Sequence, residues 1–260
     1  MPRLDVYGQK WDGLREQAVR LVEGGERDLS RVLRLVEADW RSADASPMQA
    51  PVFGTVVTLP RAALVAGRRD LIARVIAAQA RPETAWVAEL GAGWGQNLLD
   101  LWLVGGPRVP YFSLEPTPEG RACAEYLASL DPDLDLTAKE IDLEHPVYDL
   151  PAGGEHVLAY TIHSVEQITE LPREAITGLF ELGRSVTGVH FEPIGWQVED
   201  RPELGATKKH SAKKDYNRNL WPLLRGLEAE GELRIETVVP DLIGIKPHNA
   251  STLVVWHRPA

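Results

Sequence analysis

The chain has 260 residues, 44% of them apolar and 25% charged, with a formal net charge of -10 at pH 7. That balance excludes a disordered or fibrous chain, and the acidic surplus argues against nucleic acid as a partner, because such binders present basic surfaces that displace counterions. The length suits one α/β domain over residues 82–260 preceded by a helical extension over residues 1–81, expected to lie as a lid over the open end of the sheet. From Trp11 to Val22 and from Leu29 to Trp40, apolar residues recur every three or four positions, which predicts two amphipathic helices. Ser42 to Pro60 carries Pro47, Pro51, Gly54 and Pro60 among apolar Val52, Phe53, Val56 and Val57, and reads as an extended connector. Helical periodicity returns from Leu64 to Ala80, with Arg61, Arg68, Arg69 and Arg74 on its polar face.

After Pro82 the rhythm becomes strand then helix. Strands are expected at Trp86–Leu90, Val109–Leu114, Asp135–Ile141, His156–Ile162 and Thr187–Phe191. Helices are expected at Asn97–Leu103, from the Thr117 cap to Leu130, at Pro172–Leu182 and at Asn219–Glu230. The closing strands, Leu233–Val239 and Ser251–Trp256, are joined by a loop too short for a crossover helix and so must be antiparallel, whereas the units before them demand a parallel sheet.

Three smaller features bound the setting. A single cysteine, Cys123, cannot form an intrachain disulfide and falls in a helical pattern, which suits a core thiol in a reducing cytoplasm. The N-terminus lacks a signal-peptide apolar region and no stretch is long enough to span a bilayer, so no membrane partner is expected and the sequon at Asn249 is read as chance. Lys208, Lys209, Lys213, Lys214 and Arg218 face only Asp215, which fits either a solvated helix face or an anion-recruiting lid.

The most informative segment runs from Val87 to Asn97, a strand leading through Glu89-Leu90-Gly91-Ala92-Gly93-Trp94-Gly95 into a helix. Glycines there allow a tight turn and the close approach of a nucleotide-type ligand. The dinucleotide fingerprint requires its third glycine or alanine where Gln96 stands, and no phosphate-loop lysine follows. An acid closes the next strand at Glu115, twenty residues after Gly95, where a carboxylate can accept bonds from both hydroxyls of a ribose.

These residues resemble the first motif of the class I, seven-stranded S-adenosylmethionine-dependent methyltransferases: an acid, a hydrophobe, then Gly-x-Gly-x-Gly. The resemblance covers Thr84 to about Trp256 and implies a Rossmann-like, doubly wound sheet of seven strands with the last antiparallel. It further implies S-adenosylmethionine as cofactor, with Glu89 near its amino acid moiety, Gly91 and Gly93 beside its methionine and ribose, and Asp142 on its adenine. Ala92, Gly95 and Asn97 of the turn and Thr161 at the end of the fourth strand complete the candidate cofactor set.

Acceptor chemistry is expected beyond the carboxyl ends of the fourth and fifth strands. The fourth ends in His163-Ser164-Val165-Glu166, without the Asn/Asp-Pro-Pro-aromatic motif of nucleobase and amide N-methyltransferases. His163 is the candidate base, because an imidazole titrates near neutrality, and Glu166 is its candidate orienting acid. Strand alternation puts His190 and Glu192 on one face, with Glu192 as a candidate site carboxylate, and Asn217 with Tyr216 precedes the next helix without an obvious capping role. The expected function is methyl transfer to a hydroxyl or amine of a small-molecule, natural-product or peptide acceptor. The rivals are a nicotinamide-dependent reductase and a non-catalytic cofactor-binding subunit.

Overall fold

The computed structural model describes residues 4–41, 46–199, 205–246 and 249–260. Two helices open it, α1 (Leu4–Glu23) and α2 (Leu29–Arg41), followed by strands β1 (Pro47–Val52) and β2 (Thr55–Pro60) and helix α3 (Arg61–Ala77). The alternating region then supplies β3 (Thr84–Leu90), α4 (Gln96–Leu103), β4 (Tyr111–Leu114), α5 (Pro118–Ala128), β5 (Leu136–Lys139) and β6 (Gly154–Ile162). It continues through α6 (Glu174–Thr177), β7 (Gly183–Glu192), α7 (Gly195–Val198), α8 (Gly205–Lys214) and α9 (Leu220–Ala229) to β8 (Arg234–Gly244) and β9 (Ala250–Arg258).

The sheet order is β2-β1-β8-β9-β7-β6-β3-β4-β5. Strands β3 to β7 pair in parallel, and β9 runs antiparallel between β7 and β8. The sheet therefore has nine strands rather than seven. The extra pair is the segment expected to be a connector: β1 and β2 form a hairpin in which Val52 faces Thr55 and the turn residues Phe53 and Gly54 have φ of 48° and 72°. Positive φ at both central residues is what a tight hairpin turn matching the strand twist requires. The turn amides of Phe53 and Gly54 bond to the carbonyls of Leu242 and Asp241, in an irregular stretch of β8, while Val52 continues the ladder opposite Ile243.

Alternation along the central strands splits the core between two faces. Val87, Leu158, Tyr160, Val189 and Phe191 pack against α1 to α5, and Val32, Leu33 and Val36 of α2 are fully buried there. On the opposite face, Trp86, Val157 and Trp256 pack with α6 and α9. Thr117 caps α5 as its sequence implies, accepting from the Gly120 amide. The helix expected over Pro172–Leu182 is instead one α-helical turn followed by a 3-10 turn, with Tyr148 packed where a Cβ on Gly178 would stand. Cys123 is buried. No helix among the described residues is long and apolar enough to cross a membrane.

Candidate active site

The turn after β3 is fixed by what surrounds it. Gly91, Gly93 and Gly95 have φ of 76°, 58° and 81°, values that disfavour side chains. A Cβ on Gly91 would stand 2.4 Å from Ser164 Cβ, and one on Gly95 would stand 2.7 Å from Ala124 Cβ. The turn is therefore wedged between the loop after β6 and helix α5. The amides of Gly91 and Ala92 both donate to the carbonyl of Leu114, at 2.7 and 2.9 Å, locking the turn to the end of β4.

Glu115, the next residue of that strand end, is 5% exposed. Its Oε2 accepts from the Gly93 amide at 2.8 Å and its Oε1 from the Thr117 hydroxyl at 2.7 Å. Burial pushes its carboxyl above the ordinary range, against these hydrogen bonds. Glu89 lies behind the turn, fully buried, with Oε1 accepting from Asn97 Nδ2 at 2.6 Å and Oε2 without a partner among the described residues. Burial drives its carboxyl well up, and the neighbouring Glu115 and Asp100 charges add to that.

Beside the turn lies a cavity of about 630 Å³. Gly91, Ala92, Gly93, Asn97 and Glu115 line it, as do Ile141 and Leu143 after β5. His163 lines it from the end of β6. Its backbone sits in the left-handed region, φ 53°, held by a hydrogen bond that its N–H donates to the Phe191 carbonyl at 3.0 Å; strain of this kind in a non-glycine residue collects at functional sites. His163 Nδ1 meets Glu166 Oε2 at 3.0 Å and Nε2 meets the Ser251 hydroxyl at 2.7 Å. With Glu166 ionised, Nδ1 carries the proton and Nε2 keeps its lone pair, accepting from Ser251.

The other expected residues lie outside the cavity lining. Gly95 begins α4, and Glu89 reaches the cavity only through Asn97. Asp142 turns away, accepting from the Glu144 amide at 2.9 Å and meeting His145 Nδ1 at 3.1 Å, while its apolar neighbours Ile141 and Leu143 face inward. Thr161 Oγ1 meets His190 Nδ1 at 2.9 Å, and His190 Nε2 accepts from the Trp256 indole at 2.9 Å, which puts the His190 proton on Nδ1. Burial alone pushes His190 down to about 3, so this network is neutral and internal. Glu192 is completely buried and accepts from the amides of Ser164, Val165 and Glu166 at 3.1, 3.2 and 3.1 Å. It shapes the loop that carries His163 rather than facing the cavity. Asn217 accepts from the Leu220 amide at 2.8 Å and donates to the Ile168 carbonyl at 2.9 Å, so it caps α9; Asn219 instead exchanges two bonds with the backbone of Leu171.

Sequence reasoning passed over Tyr7 and Trp11 of α1, Arg68 of α3 and Ser251. The first three line the cavity, and Trp11 comes within 3.1 Å of a Cβ built on Gly93. The N-terminal segment is expected to act as a lid, but Tyr7 precedes the periodic stretch that begins at Trp11, and no local signal tells which side chains of such a segment reach the cavity.

No protein-family model and no curated protein sequence matches the chain. Solved structures do. A geranyl diphosphate methyltransferase in complex with GPP and sinefungin is 12% identical, with 100% of this chain and 99% of that one covered, at a TM-score of 0.54. The magnesium protoporphyrin IX methyltransferase of Synechocystis with bound SAH is 16% identical over 75% of this chain and 85% of that one, at 0.51. An Aquifex aeolicus SAM-dependent methyltransferase is 15% identical over 74% and 93%, at 0.50. At such identities the likeness defines the fold, and the fold is that of the class I S-adenosylmethionine-dependent methyltransferases.

Proposed function

We propose that this chain is an S-adenosylmethionine-dependent methyltransferase acting on a hydroxyl or amine of a small-molecule, natural-product or peptide acceptor. The observation that carries the reading is that Glu115, bonded to the glycine turn through the Gly93 amide, lines the same cavity as His163 with its Glu166 partner. The structural neighbours with SAM or SAH bound support the cofactor.

The donor set fits that cofactor. Carboxylates, amides and apolar walls surround the turn in place of a lysine cluster, which suits a ligand bearing a sulfonium and an ammonium and no phosphate. Glu115 would hold the ribose hydroxyls, Asn97 and Gln96 the amino acid end, and Ile141 with Leu143 the adenine. Behind the amino acid end, Glu89 is held towards its neutral form by burial and orients Asn97 through its Oε1. When bound, S-adenosylmethionine supplies an electrophilic methyl group on its sulfonium.

The chain's own contribution to transfer is orientation and proton removal. Glu166 fixes the His163 proton on Nδ1, so Nε2 is the atom that takes the acceptor proton once the Ser251 hydroxyl has rotated away from it. Glu166 then offsets the charge of the imidazolium. Trp11 and Tyr7 close the cavity from α1 and keep water from the turn.

Calorimetric titration with S-adenosylhomocysteine, followed by transfer of isotopically labelled methyl to a panel of hydroxyl and amine acceptors, tests the reading. Binding that depends on Glu115 supports it, and a chain that binds no S-adenosylhomocysteine overturns it.

A further inference from the structure

We infer that the acceptor carries an anionic group, a carboxylate or a phosphate, held by Arg68 inside the cavity and drawn in past Lys214. Naming the ligand an acceptor rests on the methyltransferase reading above; the anion site itself does not.

The cavity is electrically divided along the sheet. In the strand order, the ends of β3, β4 and β5 lie to one side of β6 and the strands β7, β9 and β8 to the other. On the first side the charged lining residues are Glu115 after β4 and Glu144 after β5. On the other, Arg68 enters from α3 and its Nη2 stands 3.4 Å from the Ser251 hydroxyl, which in turn contacts His163 Nε2 at 2.7 Å. The guanidinium is thus one hydroxyl away from the candidate base, with a planar fork suited to a carboxylate or phosphate.

Lys214 also lines the cavity, at the end of α8, and forms no ion pair among the described residues. Its neighbour Asp215, which also lines the cavity, does not cancel it, because that carboxylate is paired with Arg218 and also bonded to the Thr169 hydroxyl. Lys208, Lys209 and Lys213 are exposed and outside the lining, so for them the solvated-face reading holds. In a chain of net charge -10, an anion meets a repulsive average field, and a local cationic rim is what lets it approach. The division suits the proposed reaction as well: a cationic cofactor on the acidic side and an anionic partner on the basic side attract one another across the site.

The test uses the whole chain saturated with S-adenosylhomocysteine and three probes of similar size: 4-hydroxybenzoate, phenyl phosphate and the neutral 4-hydroxybenzamide. At least one anion is expected to bind about tenfold or more tightly than the amide, and which one does so separates the carboxylate from the phosphate source. Arg68→Gln should remove that preference, Arg68→Lys should restore part of it, and Lys214→Gln should weaken anion binding about threefold at low salt and not at high salt. Lys214 is exposed, so its variant stays informative even if the Arg68 variants fold poorly. Anions that bind no better than the amide, or a preference unchanged in both Arg68→Gln and Lys214→Gln, would overturn the inference. If S-adenosylhomocysteine fails to bind while Arg68 still governs anion affinity, the methyltransferase reading falls and the anion site stands.

Discussion

The Gly93 amide donates to Glu115 Oε2 at 2.8 Å, so the turn after β3 and the end of β4 are held as one unit. A carboxylate oxygen has lone pairs to spare, and the one bond from Gly93 orients Glu115 without exhausting it. Glu115→Ala should therefore cost S-adenosylhomocysteine affinity about 1–3 kcal/mol through lost charged hydrogen bonds. Calorimetry that finds the affinity unchanged would refute the ribose assignment.

Trp11 supports the same turn from outside. Its indole abuts Gly93, it stacks with Tyr7 at a centroid distance of 5.9 Å, and it is 9% exposed. Trp11→Ala should lower stability by about 3 kcal/mol, as loss of a buried aromatic does, and weaken cofactor binding as well. Chemical denaturation and calorimetry read the two effects separately. A chain shortened to begin at Pro82 would lose β1, β2 and the α1, α2 and α3 residues that share a core with α4 and α5. If such a chain folded and bound S-adenosylhomocysteine as tightly as the whole protein, the covering role proposed for α1 would be wrong.

His163→Ala should slow methyl transfer by about 10²- to 10⁴-fold, the usual worth of a positioned base, and leave S-adenosylhomocysteine affinity within about threefold. Glu166→Gln should reduce the rate less and shift its pH profile, because the carboxylate acts through His163. Ser251→Ala should not abolish transfer, since Ser251 occupies Nε2 in competition with the acceptor. Turnover unaffected by His163→Ala would remove the histidine from the mechanism.

The alternating region was readable because its signals are local: apolar runs of strand length, a glycine turn, a capped helix at Thr117, and an acid twenty residues past Gly95. The hairpin of β1 and β2 was not, because its residues take their structure from a partner far along the chain, the irregular stretch of β8 near Asp241. The candidate site divided along the same line. His163 and Glu115 reach the cavity because their strands end there, a consequence of topology. Glu192, Thr161 and Asn217 look equally promising in sequence, but each is consumed by neighbours that no local pattern reveals: three amides, His190, and the start of α9. Buried polar side chains at a sheet edge are drawn first to unsatisfied backbone, and only those left over can serve a ligand.

Glu192 gives that competition a measurable form. Its carboxyl is completely buried and pushed up to about 8, first by burial and then by the Glu166 charge, although three amides point at it. A group whose folded pKa lies above its unfolded one binds its proton more tightly when folded. Its stabilising effect is therefore full below the unfolded value, near 4.5, and is lost as pH rises towards about 8. Conformational stability should fall across that window in the wild-type chain and fall less steeply in Glu192→Gln. The substitution also replaces one acceptor oxygen with an amide nitrogen, leaving a loop N–H unpaired, so the variant should be less stable at pH 5 by about 1–3 kcal/mol. Denaturation midpoints measured from pH 5 to 9 check both effects. A variant that keeps the wild-type slope would show that Glu192 is not the titrating group, and one that keeps the wild-type midpoint at pH 5 would show that its bonds to Ser164, Val165 and Glu166 do not hold the loop carrying His163.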